Sequence, residues 1–367
     1  MKRPDCRSLC ICVLFLGFLF STLPGFCALA APLSANQAGA AAVSIEERLS
    51  SAEAARRFLA AYPDFLIAYD AKKEELIGWD GTRFPLADTG KNNRQEATAT
   101  PPSGSPACLP TSCPPPLPPM ETLRIRYRPI AENWPSPDDP PKPGEDAGRL
   151  RPITLWTYMY GAPAAKNPDG SWRTITVGNR VELVGGTVEN NLMSVPWTLA
   201  GGGAKIRVNR ANGVAQRLAA AVAELETISA EAKTAYRRIH GGSKPGVSGF
   251  YPRLVRASTC EISPHAFGVA VDVHWHSDLD YWLDSPQHGG YRYHSVMPKE
   301  IVAVFERHGF IWGGKWRHFD GMHFEYRPEL LGMTMPPVGR SGVTGANVKK
   351  ANARKPALPQ AGVRRQH

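Results

Sequence analysis

Two histidines and two aspartates in the C-terminal half of the chain stand at spacings that suit a metal-assisted reaction. In Ser263-Pro264-His265-Ala266-Phe267-Gly268-Val269-Ala270-Val271-Asp272 an imidazole and a carboxylate lie seven positions apart, with Gly268 between them where the chain can turn. Asp272 alternates with Val271 and Val273, and a carboxylate among valines is costly unless a cation binds it. Downstream, Asp320-Gly321-Met322-His323 places a second carboxylate three residues before a second histidine. Two histidines and one aspartate are three protein ligands that leave a fourth zinc position open for water, and the remaining aspartate can take that water's proton. Each of the four alone would be an ordinary residue; the set at these spacings points to chemistry. Asp272, His274 and His276 also alternate along one strand and so point the same way, which leaves open a rival metal site with His274 as a ligand.

Such residues need elements to carry them. Residues 269–275 read as a strand, 298–308 as a helix with Pro298 in its first turn and Gly309 as its stop, and 310–312 and 323–327 as two aromatic strands. Upstream, 205–208 reads as a short strand and 213–239 as one long Ala-rich amphipathic helix that stops at Gly241 and Gly242. Residues 45–62 have a helical pattern and 76–85 a hairpin pattern around Trp79-Asp80-Gly81-Thr82, a small unit expected to pack on the main domain. Segments 93–118 and 134–149, rich in Pro, read as loops, one or both of them mobile. Trp275, Tyr281, Trp282, Trp312 and Trp316 are expected in the core, with Trp312 having an equal claim to a cleft wall, and His308 and His318 at the surface.

The chain has 367 residues, 43% of them hydrophobic and 21% charged, with 9 Trp, which suits one large or two modest globular domains and excludes a disordered polyelectrolyte or a multispan membrane protein. Its formal net charge of +10 sits almost wholly in the two ends, so the near-neutral body lacks the basic face that nucleic-acid binding needs. Residues 336–367 read as a basic disordered tail, with at most weak electrostatic contact to anionic envelope polymers. Lys2 and Arg3 precede an apolar run over 10–20, and Cys27-Ala28-Leu29-Ala30 offers small residues for cleavage, so 1–30 read as a secretory signal peptide and the mature chain as secreted or periplasmic. The run is about half the ~20 residues a spanning helix needs, and no stable membrane span is expected elsewhere. Three of the seven cysteines, Cys108, Cys113 and Cys260, survive cleavage into an oxidising compartment. Cys108 and Cys113 could close a local disulfide and leave Cys260 free, or Cys260 could pair with one of them.

The pattern Ser-x-His-x-x-Gly-x-Ala-x-Asp, followed by an acidic residue, two spacers and His, resembles the VanY- and VanX-type zinc peptidases. That family comprises D-Ala-D-Ala carboxypeptidases and L-Ala-D-Glu endopeptidases and shares a fold with the Hedgehog signalling domain. Phe305-Glu306-Arg307-His308-Gly309-Phe310-Ile311-Trp312-Gly313-Gly314-Lys315-Trp316 and Met322-His323-Phe324-Glu325-Tyr326-Arg327-Pro328-Glu329-Leu330 are similar to its endopeptidase-like branch. The resemblance covers about 190–335 and extends more weakly to Trp79-Asp80-Gly81-Thr82. It implies an α+β, Hedgehog/DD-peptidase-like fold, in which a small antiparallel sheet flanked by helices carries the zinc. The peptidase domain would span 150–335, preceded by a helix-and-hairpin unit at 31–92 and Pro-rich loops at 93–149.

By the same resemblance His265, Asp272 and His323 ligate Zn2+, and Asp320 is the catalytic acid or base. Arg253, in Phe250-Tyr251-Pro252-Arg253, is the arginine that steadies the substrate carbonyl or the oxyanion, with Arg256 as a competitor because the spacing from Arg253 to His265 is about one residue longer than the branch's pattern. Ser263 and Gly268 are structural, and His274 stands where the family usually has an amide. The implied substrates are peptidoglycan stem peptides. The activity is that of a D-alanyl-D-alanine carboxypeptidase, with an L-alanyl-D-glutamate endopeptidase as the alternative. A non-catalytic wall-binding protein of the same fold is the reading from another class, against which the presence of Asp320 speaks.

Overall fold

A computed structural model describes residues 49–87, 116–199, 203–239, 246–255, 260–273 and 291–343. The Ser50 side chain accepts the Glu53 amide at 3.2 Å and starts helix α1 (Ser51–Ala61), whose Ala54, Ala55, Phe58 and Ala61 recur at helical spacing and are buried. Strands β1 (Leu66–Asp70), β2 (Glu75–Gly78) and β3 (Arg83–Pro85) follow as an antiparallel meander. The expected hairpin is β2–β3; β1 adds a third strand, because the exposed turn 71–74 lets Asp70 pair back onto Glu75. Asp80 in the hairpin turn accepts the Thr82 amide at 3.0 Å and the Tyr158 hydroxyl at 2.9 Å, which ties the turn to a later helix.

Helix α2 (Pro119–Thr122) is a single turn, and α3 (Ile153–Tyr160) buries Leu155, Trp156, Met159 and Tyr160. Hairpins β4 (Thr174–Val177) with β5 (Arg180–Leu183), and β6 (Leu192–Trp197) with β7 (Ala204–Asn209), lead into helices α4 (Val214–Leu225) and α5 (Ala230–Ile239). The single helix expected over 213–239 is thus two. Thr227 turns its hydroxyl onto the Glu224 carbonyl at 2.7 Å, and Ser229 accepts the Ala232 amide at 3.1 Å as the cap of a new helix. Glu300 takes the Ser229 amide at 2.9 Å and fixes the break.

The last sheet has the order β8 (Ala270–Asp272), β10 (His323–Tyr326), β9 (Phe310–Trp312), all antiparallel, with β10 in the middle. Helix α6 (Lys299–Arg307) begins after Pro298 and gives way to Gly309, as its sequence predicts. Phe305 on α6 stacks on Phe324 of β10 at 4.0 Å between ring centroids, so the core lies between helix and sheet. Trp312 and Trp316 are buried there; Trp312 donates its indole N–H to the Gly321 carbonyl at 2.8 Å and stacks on Trp134 at 5.1 Å, so it belongs to the core and not to a cleft wall. Trp275, Tyr281 and Trp282 lie outside the described residues. Among the described residues no helix is long and apolar enough to cross a membrane.

Candidate metal centre

His265 sits in a short 3-10 turn, Pro264–Phe267, that ends at Gly268 with φ 66°. That left-handed conformation suits glycine, and so does the space: a Cβ there would meet the Leu192 side chain at 2.8 Å and the Asn209 amide nitrogen at 2.9 Å. Asn209 is fully buried at the end of β7 and locks the turn, its amide group donating to the carbonyls of Phe267 at 3.1 Å and Tyr160 at 3.0 Å, its backbone N–H to Gly268 at 2.8 Å. On the adjacent strand Asp272 exchanges backbone hydrogen bonds with Ser248, both at 2.9 Å. The β10–β8 register then places His323 directly opposite Asp272.

Three ligand-type atoms converge. His265 Nε2 lies 3.2 Å from Asp272 Oδ1 and 3.3 Å from His323 Nδ1, and His323 Nδ1 lies 3.0 Å from the same Asp272 oxygen. The far nitrogens fix the tautomers. His265 Nδ1 is 2.6 Å from the Gly249 carbonyl oxygen, which can only accept, so Nδ1 carries the hydrogen and Nε2 turns its lone pair inward. His323 Nε2 is 3.4 Å from Glu325 Oε2, also an acceptor, which leaves Nδ1 facing the cluster. Two lone pairs and a carboxylate oxygen so close together repel unless a cation lies among them, and His265, Asp272 and His323 form a group able to hold a metal ion. Without a metal a proton takes that place. Burial pulls His323 toward the neutral form, but hydrogen bonds to Asp272 and Glu325 more than offset it and push its pKa up to about 9. Asp272, despite burial that favours the acid, is held well below the usual carboxylate range by His265 and His323.

Asp320 stands beside this cluster without belonging to the ligand set. Its amide donates to the Gly313 carbonyl at 3.0 Å and its carbonyl accepts the His323 amide at 3.1 Å, a turn that leads directly into β10. Burial raises its pKa and the charge of Asp272 adds to this, while His323, Arg149 and His265 pull it down. A carboxyl group poised nearer neutrality than usual, next to a metal cluster, is suited to proton transfer. Arg253 is on the loop tied to the site through the Tyr251 amide, which donates to the His265 carbonyl at 3.1 Å. Its guanidinium donates to the carbonyls of Leu254 at 3.2 Å and Val255 at 3.1 Å. Arg256, His274, His276, Cys108 and Cys113 lie outside the described residues. Cys260 is disulfide-bonded, which removes the reading of a free thiol. His308 pairs with Glu224 at 2.7 Å and His318 with Asp146 at 2.8 Å, both away from the ligand set.

A buried charge network behind His323 was not read from the sequence. Glu325 bonds Arg151 at 3.2 Å and Arg327 at 3.0 Å, Arg327 bonds Glu329 at 2.5 Å, and the Tyr62 hydroxyl donates to Glu329 at 2.5 Å. Glu325, Arg327 and Glu329 have no exposed surface. Burial disfavours the Glu325 charge, yet Arg151, His323 and Arg327 hold it well below the usual range. A signal for part of this existed: His323, Glu325 and Arg327 alternate along one strand and share a face, where three charged groups require partners.

Residues 256–326 match the family model described as D-alanyl-D-alanine carboxypeptidase, the VanY-type peptidase family that the motifs resemble. No curated protein and no solved structure matches the chain.

Proposed function

With the carboxypeptidase family as premise, we propose that the mature chain is a secreted or periplasmic zinc peptidase of Hedgehog/DD-peptidase-like fold that hydrolyses amide bonds of peptidoglycan stem peptides, the terminal D-alanyl-D-alanine bond first among them. The observation that carries this reading is the inward convergence of His265 Nε2, His323 Nδ1 and Asp272 Oδ1 at 3.0–3.3 Å. Zinc bonds of about 2.0–2.1 Å in a tetrahedron separate ligand atoms by about 3.3–3.4 Å, so the set needs to open by only a few tenths of an ångström.

His265, Asp272 and His323 would hold the zinc, which when bound would supply the Lewis acidity that activates water at neutral pH and polarises the scissile carbonyl. Asp320 accepts the proton of the attacking water and delivers it to the leaving amine, a role supported by its raised pKa and its place beside the ligands. Arg253, or Arg256 three residues on, stabilises the charge that develops on the carbonyl oxygen. Gly249 and Glu325 keep the two imidazoles in the ligand tautomers.

The test is mass spectrometry of stem pentapeptides and whole muropeptides after incubation with the mature protein, with and without a zinc chelator. Chelator-sensitive loss of one terminal alanine is the expected result, and equal cleavage of substrates lacking the terminal carboxylate would overturn the carboxypeptidase assignment. A cut after L-Ala would make the enzyme an endopeptidase. No cleavage by a protein that holds zinc would leave a wall-binding protein.

A further inference from the structure

The segment 141–151, which precedes the family match, is irregular apart from a 3-10 turn at Ala147–Arg149, yet it is fastened along its length to the turn that bears Asp320. The Arg317 amide donates to the Glu145 carbonyl at 2.7 Å, and the Arg317 guanidinium to the Pro141 carbonyl at 3.3 Å. Asp146 grips His318 with both oxygens, accepting its amide at 2.9 Å and meeting its Nδ1 at 2.8 Å. Arg149 donates to the His318 carbonyl and lies over the Trp316 ring, which in turn is 5.5 Å from the His323 ring. Gly148 is pressed so close to Trp316 that a Cβ would meet the indole at 2.2 Å. Past this clamp, Arg151 reaches strand β10, which follows the turn, and pairs with Glu325, the acceptor behind His323, both groups being buried.

We infer that Asp146 and Arg151 are positioning residues for the metal reaction, Asp146 holding the 316–320 turn that presents Asp320, and Arg151 holding Glu325 and through it the His323 ring. The inference rests on the zinc-peptidase reading above for its consequence in catalysis. Neither residue touches the ligand set or the reacting atoms. Two independent anchors on one strap fix the base and a ligand relative to each other, and a misplacement of about 1 Å in such a pair costs on the order of a hundredfold in rate.

The test compares Asp146→Ala, Asp146→Asn, Arg151→Met and Arg151→Lys in the mature protein, reading kcat and KM on a stem pentapeptide, zinc affinity by chelator competition, and amide exchange over 316–322. Asp146→Ala should lower kcat about tenfold or more with KM and zinc affinity within about twofold and faster exchange in the turn, while Asp146→Asn, which keeps an acceptor for the His318 amide, stays near wild type. Arg151→Met should weaken zinc about 10–100-fold, with Arg151→Lys in between because it keeps the charge but not the fork. Wild-type kcat and exchange in Asp146→Ala, or wild-type zinc affinity in Arg151→Met, would overturn the inference, and the Asn and Lys variants serve if the harsher ones do not fold. If the wild type cleaves no peptide, the peptidase reading fails by itself, and exchange and zinc affinity still decide the positioning.

Discussion

Glu325 joins the buried network to the ligand His323, so replacing it by the isosteric glutamine tests both at once. Glutamine keeps an oxygen 3.4 Å from His323 Nε2 but removes the charge that faces Arg151 at 3.2 Å and Arg327 at 3.0 Å. Arg327 retains Glu329 at 2.5 Å, whereas the ion pair given to buried Arg151 is with Glu325. Breaking a buried pair by removing one partner costs about 3–5 kcal/mol, and Glu325→Gln should fall at the lower end because the amide oxygen still accepts. A ligand histidine whose outer acceptor is weakened loses about 10–100-fold in metal affinity, or about 1.4–2.7 kcal/mol. Chelator competition gives the affinity, and denaturant unfolding of the metal-free protein gives the stability. Zinc affinity within about twofold of wild type together with unchanged stability would refute the role given to Glu325.

Asp320→Asn cannot take a proton, so kcat should fall about 10²–10⁴-fold while zinc binding by the three ligands persists; a variant with wild-type turnover would remove Asp320 from the mechanism. Gly268→Ala must strain a φ of 66° and crowd the Asn209 amide at 2.9 Å, and denaturant unfolding should register a loss of about 1–3 kcal/mol. An alanine variant as stable as wild type would mean that the His265 turn is not held as described. Lys315 is buried, and burial pulls its pKa from 10.5 to about 8 although Glu306 lies 3.0 Å away. Between about pH 8 and 10.5 the unfolded chain therefore holds the proton that the folded chain has lost, so stability should rise with pH across that window by on the order of 3 kcal/mol relative to Lys315→Met. Parallel pH–stability curves for the two proteins would contradict this.

The elements nearest the site were legible because their signals are local. Pro298 and Gly309 bracket α6, the aromatic alternation after Gly309 gives β9, and the apolar residues around Asp272 give β8. The meeting of His265, Asp272 and His323 was also legible, since two strands of one small sheet bring a carboxylate and a histidine at their mouths face to face once the register is set. The long helix failed for an equally local reason, overlooked in an Ala-rich stretch: Thr227 and Ser229 satisfy backbone groups with their own hydroxyls and make a stop and a start.

What sequence could not supply is the support behind the ligands, because it is made of contacts between distant segments. Arg151 meets Glu325 across 174 positions and Tyr62 meets Glu329 across 267. Asn209 has no spacing signal of its own, yet it holds the His265 turn through two hydrogen bonds, to the Phe267 and Gly268 carbonyls, and ties it to Tyr160 through a third. A ligand motif states which atoms can bind a metal, but the charge and orientation of those atoms come from groups that no spacing rule connects to them. The strap at 141–151 has the same origin. Its Pro content accounts for the lack of long elements, since only the 3-10 turn Ala147–Arg149 forms there, but not for its anchoring: the Glu145 carbonyl and the Asp146 carboxylate accept the amides of Arg317 and His318, partners that no local signal announces.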